Sequence, residues 1–220
     1  MEQNKINISK EMVAYFDFDG TITTKDTLIP FLIFTVGVFK FILNLPRLFP
    51  VVLLYGLKII NNEQAKQRTL TILIKGYSQE FLENKAHDFA IHQIDKYVNP
   101  EIFQQVESHV ERGHKVIIVS ANLAIYLRYY IKRHNFFGLI ATEIEFNRDK
   151  ATGKLATRNC YGPQKVSRIE EYLAKNNLNF CYSYAYGNSR GDYEMLNFAN
   201  EGYLIENSEL LKWISNESAI

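Results

Sequence analysis

The chain has 220 residues, 47% of them hydrophobic and 22% charged, with a formal net charge of +1. That composition excludes a disordered chain and suffices for one large core, or one core with an inserted subdomain. With no global basic field, no nucleic-acid partner is expected.

The first eleven residues are polar, and no apolar run of signal-peptide type follows, because Asp17 and Asp19 interrupt it. The two cysteines, Cys160 and Cys181, form no CxxC pair. Both features predict a reducing, cytoplasmic setting, in which the glycosylation patterns at Asn7–Ser9 and Asn216–Ser218 are idle.

"VAYFDFDGTIT" opens with a short buried strand, Val13–Phe18. From Thr27 to about Val98 apolar residues recur at helical spacing, with Ser78 as a candidate N-cap. A helix over Pro100–Arg112 ends at Gly113, and "KVIIV" (Lys115–Val119) is a second buried strand. "NLAIYLRYYIKRH" predicts a helix with a basic, tyrosine-rich outer face. "GLIATEIEFNRDKATGKLA" predicts two strand segments joined by a turn. "PQKVSRIEEYLAKN" predicts an amphipathic helix with Pro163 in its first turn. "CYSYAYGNSRGDYEML" reads as strand, loop and helix, and "GYLIE" as a last strand.

Alternating strands and helices predict an α/β fold with a mainly parallel sheet, interrupted after its first strand by a helical insertion. In such sheets ligands bind at the carboxyl ends of the strands. Three strand ends carry polar chemistry here: Asp17 and Asp19, Ser120, and Asn188 with Asp192. Two adjacent carboxylates repel each other and resist burial, so a cation beside them is expected. An all-oxygen set suits magnesium, which also takes substrate phosphate into its shell. One carboxylate can then attack phosphorus while the other moves the proton of the leaving alkoxide. Ser120 and Thr21 offer donors to phosphoryl oxygens, and Lys165 offers a fixed positive charge.

"DFDGT", "VIIVSAN", Lys165 in "NCYGPQK" and "YGNSRGDYEML" occur in that order. Together they resemble the four motifs of the haloacid dehalogenase-like hydrolases, in the phosphoserine phosphatase-like branch, subfamily IB. The resemblance runs from about residue 12 to 206. It implies a Rossmann-like core formed by residues 10–25 and 101–220, and a helical cap domain formed by residues 26–100. It implies Asp17 as nucleophile and Asp19 as general acid/base, with the Asp19 backbone carbonyl reaching Mg2+. Thr21 would hold the first motif, Ser120 and the amide of Ala121 would bind phosphate, and Lys165 would stabilise a phosphoaspartate. Asn188 and Asp192 would complete the magnesium site. Many relatives carry aspartate where this chain has Asn188, which implies weaker magnesium binding here.

The cap would choose the substrate. Asp26 stands where phosphoserine phosphatases keep an acid for the substrate amine, and Arg68 could clamp a carboxylate. No acidic residue occurs between Asp26 and Glu63, while Lys40, Arg47 and Lys58 do. The uncharged run Thr27–Phe39 has 13 residues, too short to span a membrane, and Pro46 and Pro50 interrupt the next one. Two readings of 27–60 stand: a pair of buried cap helices, or a hairpin making peripheral contact with the inner face of a membrane. The substrate expected is accordingly a small phosphomonoester, of the phosphoserine or histidinol phosphate type, or a lipid headgroup phosphate such as phosphatidylglycerophosphate. Two further readings stay open: a phosphotransferase on the same fold, and a membrane-surface binding protein with a vestigial site. Nothing in the sequence specifies an oligomeric state.

Cys160 reads as a core or loop thiol, the "RGD" at Arg190–Asp192 as a turn delivering Asp192, and none of the five histidines as a metal ligand.

Overall fold

The computed structural model describes residues 11–206 and 209–214. The sequons at Asn7 and Asn216, and the ends of the expected core, lie outside the described residues.

Strand β1 (Met12–Phe16) lies at the centre of a six-stranded sheet of order β3-β2-β1-β6-β7-β8. β2 (Lys115–Leu123), β3 (Gly138–Thr142), β6 (Tyr182–Gly187) and β7 (Glu201–Glu206) pair in parallel. β8 (Glu209–Lys212) closes one edge antiparallel to β7. Chain order reverses at β1, which has β2 on one side and β6 on the other. A crevice therefore opens at the carboxyl end of β1, the usual ligand position in such sheets.

β1 and β2 are buried on both faces, as central parallel strands covered by helices must be. Val13 and Tyr15 pack with Ile117, Val119 and Ala185 beneath α8 (Pro163–Lys175) and α9 (Tyr193–Phe198). Ala14 and Phe16 pack with Val116 and Ile118 on the opposite face. That second core continues into α6 (Pro100–Glu111) and α7 (Ala124–Arg133), then into the inserted helices through Phe31, Leu70 and Phe89. Period-two alternation along β1 thus feeds two cores.

The inserted block comprises α1 (Leu28–Val36), α2 (Val38–Leu43), α3 (Leu45–Gly56), α4 (Asn62–Ile74), α5 (Gln79–His92) and a short 3-10 turn, Ile94–Tyr97. Ser78 caps α5 by accepting from the Phe81 amide at 3.2 Å. Asn61 and Gln64 form a capping box that starts α4.

Three expectations change. The tyrosines of α7 do not form an outer face, because Tyr126 and Tyr130 are fully buried and only Tyr129 lies nearer the surface. The segment Gly138–Ala156 holds three strands rather than two, since β3 joins the large sheet before β4 (Ile144–Asn147) and β5 (Lys150–Leu155) form a separate hairpin. The pair of buried helices holds only for α1, because α2 buries no residue and α3 buries only Leu48 and Val51. Among the described residues no helix is long and apolar enough to cross a membrane.

Behind the sheet His109 is 4% exposed. Its Nε2 meets the Tyr186 hydroxyl at 2.8 Å, and its Nδ1 lies 2.8 Å from the Nδ1 of His114, so one of those two nitrogens carries the proton that joins them. Burial, followed by the charges of His114 and Arg112, pushes the His109 imidazole down to about 4. The folded state therefore resists protonation that the unfolded chain accepts. The associated stability is fully present above about pH 6.5 and is lost as pH falls towards 4. In urea titrations, His109→Gln should reduce the loss of stability between pH 7 and pH 4.5 by roughly 1–3 kcal/mol. An equal loss in both proteins would show that His109 is not the group responsible.

Candidate active site

Asp17 follows the last residue of β1 and is still tied to β6, because its amide donates to the Tyr186 carbonyl at 2.9 Å. The chain then folds back, with the Thr23 amide donating to the Phe18 carbonyl at 2.9 Å. Phe18 and Ile22 anchor this loop in the core. Gly20 has φ +82, and a Cβ there would lie 2.1 Å from Nδ2 of Asn188. Glycine is thus required both by the backbone conformation and by the close approach of the β6 loop.

Three buried charges meet at these strand ends. Lys165, 1% exposed near the start of α8, donates to Oδ1 of Asp17 at 2.6 Å, Oδ1 of Asp192 at 2.6 Å and the Val119 carbonyl at 2.8 Å. All three ammonium protons are used. The carboxylates are not equivalent. Asp192 also accepts from the amides of Asn188 and Ser189 and from the Ser189 hydroxyl, whereas among the described residues Asp17 has only the Thr21 hydroxyl besides Lys165. Lys165 and the Ser189 donors overcome the cost of burial and hold Asp192 below its ordinary value. For Asp17 burial dominates, the charge of Asp192 adds to it, and the carboxyl is pushed up to about 7 despite Lys165.

Asp19 is held differently. Its Oδ1 accepts from the amide and hydroxyl of Thr27 at 2.7 and 2.6 Å, and its Oδ2 accepts from Nδ2 of Asn122 at 2.7 Å. Thr27 stands at the N-cap position of α1, so the start of that helix faces the carboxylate. The Thr27 hydroxyl is also 2.9 Å from the Tyr126 hydroxyl. Burial and then Asp26 raise the Asp19 carboxyl to about 6, against the opposing pull of Thr27 and Asn122.

Ser120 is buried, and its Oγ accepts the Asn122 amide at 2.9 Å, which leaves its hydroxyl proton available to another acceptor. Lys66 of α4 reaches the same loop, donating to the Ala121 carbonyl and, at 2.8 Å, to Oδ1 of Asn159. Burial lowers the Lys66 ammonium to about 8, with Asp26 and Asp19 pulling the other way.

A cavity of about 430 Å³ brings together Asp17, Asp19, Ser120, Ala121, Lys165 and Asp192, and also Asp26 and Lys66. Its far wall is apolar, formed by Leu28, Ile29, Val51, Val52 and Tyr55. Thr21 lies behind Asp17, and its hydroxyl also lies 3.4 Å from Oδ1 of Asn188. Arg68 is elsewhere, in a shallow groove with Gln67, Thr71 and Lys154. Cys160 is a fully buried thiol, and Arg190–Asp192 is a 3-10 turn that delivers Asp192 to Lys165.

Asn122, Thr27, Tyr126 and Lys66 join the site without having been among the residues expected there. Asn122 ends the quoted "VIIVSAN", so its place at a strand end was a usable signal. Lys66 is set apart from Arg68 by helix phase, which only the position of the cavity wall reveals. Residues 62, 65, 66 and 69 line the cavity at 3–4 spacing, and Arg68 lies about 200° around the helix from Lys66.

Among the described residues no group of three or more His, Cys, Asp or Glu side chains is arranged as a metal cluster. The oxygen donors nonetheless suit a hard cation. Asp17 is crowded by Asp192, shares its one ammonium partner with it, and is pushed towards protonation. A divalent ion would relieve that excess of negative charge.

Comparison with known proteins agrees with this architecture. The haloacid dehalogenase-like hydrolase family matches residues 14–197. Protein CicA of Caulobacter vibrioides is 28% identical over 198 residues, covering 88% of this chain and 86% of that protein. A Bordetella pertussis Tohama I protein with unknown function has a similar structure, with a TM-score of 0.77 at 21% identity over 88% of this chain and 89% of that one. A substrate-bound phosphoserine phosphatase superposes with a TM-score of 0.63 at 17% identity, covering 89% and 86% of the two chains. From the span of the family match and the carboxylate–lysine geometry at its strand ends, the chain belongs to the haloacid dehalogenase-like hydrolases.

Proposed function

We propose that this protein is a magnesium-dependent phosphatase that hydrolyses a phosphomonoester through a phosphoaspartate on Asp17. The observation that carries the proposal is the buried ammonium of Lys165 between Asp17 and Asp192, on one side of a cavity that also holds Asp19. A carboxylate of Asp17 attacks phosphorus, and the bond from phosphorus to the ester oxygen breaks. Asp19, protonated at this stage, gives its proton to the leaving alkoxide. Water then attacks the phosphoaspartate, Asp19 takes the water's proton, and phosphate leaves with Asp17 restored. A carboxyl raised to about 6 is suited to holding a proton in one step and accepting one in the next. Thr27 and Asn122 fix its orientation, Ser120 and the amide of Ala121 receive phosphoryl oxygens, and Lys165 balances the charge that accumulates.

The residues that would hold magnesium are Asp17, the backbone carbonyl of Asp19, Asn188 and Asp192. When bound, the ion would supply charge neutralisation for the phosphoryl group. Asp17 and Asn188 each place an oxygen beside the Thr21 hydroxyl, which supports their sharing one ligand set. Both oxygens of Asp192 accept from Lys165, Asn188 and Ser189, so in that set Asp192 would also fix the loop that presents Asn188.

Residues 26–100 serve as the cap, since α1, α3 and α4 contribute the cavity wall opposite the carboxylates. Asp26 and Lys66 are the polar groups that this wall offers to a leaving group, and Lys66 takes the position expected of Arg68. The substrate is either a small metabolite or a lipid headgroup phosphate. Both cysteines are unpaired, which supports a cytoplasmic setting.

Asp17→Asn should lower turnover of an aryl phosphate by roughly a thousandfold or more while circular dichroism and the thermal transition remain those of a folded protein. Turnover retained in that variant would refute the mechanism. Asn188→Asp should lower the magnesium concentration that gives half-maximal activity, because it adds an anionic oxygen to the ligand set. An unchanged magnesium requirement would count against Asn188 as a ligand.

A further inference from the structure

Helices α2 and α3, with the turn after them, leave an unusual amount of apolar surface uncovered. Phe39 is 77% exposed, Phe49 and Val52 are each 67% exposed, and Leu43, Leu57 and Ile59 are exposed to a similar degree. Isolated exposed apolar residues are ordinary on a protein surface, but a contiguous set of large ones marks a place that something covers. The charge on this segment has one sign. Lys40, Arg47 and Lys58 are all exposed, and no acidic residue occurs between Asp26 and Glu63. The helices have six and twelve residues and cannot cross a bilayer, but they can lie along one.

The same surface leads into the cavity. Val51 of α3 is buried against it, while Val52, Tyr55 and Ile29 of α1 are exposed and also line it. The apolar face therefore continues over the cavity's rim, with Asp17 and Lys165 inside. About 430 Å³ accommodates a phosphorylated headgroup, and a long alkyl chain would have to extend out along α3.

We propose that α2 and α3 dock this protein on an anionic bilayer surface, so that the cavity takes the phosphomonoester headgroup of a membrane-resident amphiphile. The charge pattern selects the occupant. Two copies joined through this face would bring three cations against three cations, whereas an anionic lipid surface complements them. The substrate part of the proposal rests on the phosphatase reading above, and the docking part does not.

The test is flotation of the full chain with vesicles of phosphatidylglycerol and phosphatidylcholine in equal parts, against vesicles of phosphatidylcholine alone, at low salt. The protein should float with the anionic vesicles and not with the neutral ones, and added salt should weaken the association. The double variant Phe39→Glu, Phe49→Glu should lose roughly tenfold or more of that binding and keep its turnover of a soluble aryl phosphate. Neither residue lines the cavity. Wild-type protein left in the soluble fraction, or a variant that floats as well as the wild type, would overturn the docking. So would a stable dimer that this variant converts to monomer without any vesicle binding. In a second arm, kcat/KM for alkyl phosphates should rise with chain length, and a flat dependence would overturn the amphiphilic substrate. Flotation without aryl phosphate turnover would instead refute the phosphatase reading and leave docking intact.

Discussion

One ammonium buried between two carboxylates organises the strand ends. Lys165 reaches Asp17 after β1, Asp192 after β6 and the backbone of β2, so it joins three neighbouring strands through a single charge. Ions taken out of water each cost several kcal/mol before their attraction is counted, and removing one partner of a buried pair typically costs about 3–5 kcal/mol. Such a cluster persists only where every proton has an acceptor, and here each does. Its net charge is still negative. Because Asp192 has the richer set of donors, the deficit falls on Asp17. The carboxylate left least satisfied by the protein is the one that the proposed reaction uses, first towards a cation and then towards phosphorus.

A second constraint couples the inserted helices to this cluster. Asp19 is fixed by Thr27 at the start of α1 and by Asn122 at the end of β2, while Lys66 of α4 reaches back to the Ala121 carbonyl. The loop that carries Ser120 is therefore held from the sheet and from the insertion at once. The hydrophobic core is likewise continuous from Phe16 through Tyr126 to Phe31 and Phe89. A change in how the helices sit would be felt at Asp19, which would give substrate recognition a physical route to the proposed acid/base group.

Much of this was legible in the sequence, for identifiable reasons. Uninterrupted apolar runs mark β1 and β2, and the polar residues at their ends can point only towards a crevice. The helical period of "PQKVSRIEEYLAKN" places Lys165 in the first turn of α8. What escaped depends on contacts between distant segments. The tyrosines of α7 look like a surface stripe until α5 and α1 are packed over them. Arg68 and Lys66 differ only in helix phase, which shows once the cavity wall is known. The apolar stretch after Asp26 looks equally suited to a core or to a surface, because hydropathy records what a residue prefers and not what the fold provides. The short edge strand β8 carries too little pattern to be separated from a loop.

The central claim is that Asp17 carries the phosphoryl group. It is tested most directly by quenching the protein during turnover of an aryl phosphate with magnesium, reducing with borohydride and mapping the peptides by mass spectrometry. An acyl phosphate is reduced where a free carboxylate is not, so the account predicts homoserine at position 17 only when substrate was present. Unmodified Asp17 in a protein that is turning over, or modification at Asp19 or Asp192 instead, would contradict it.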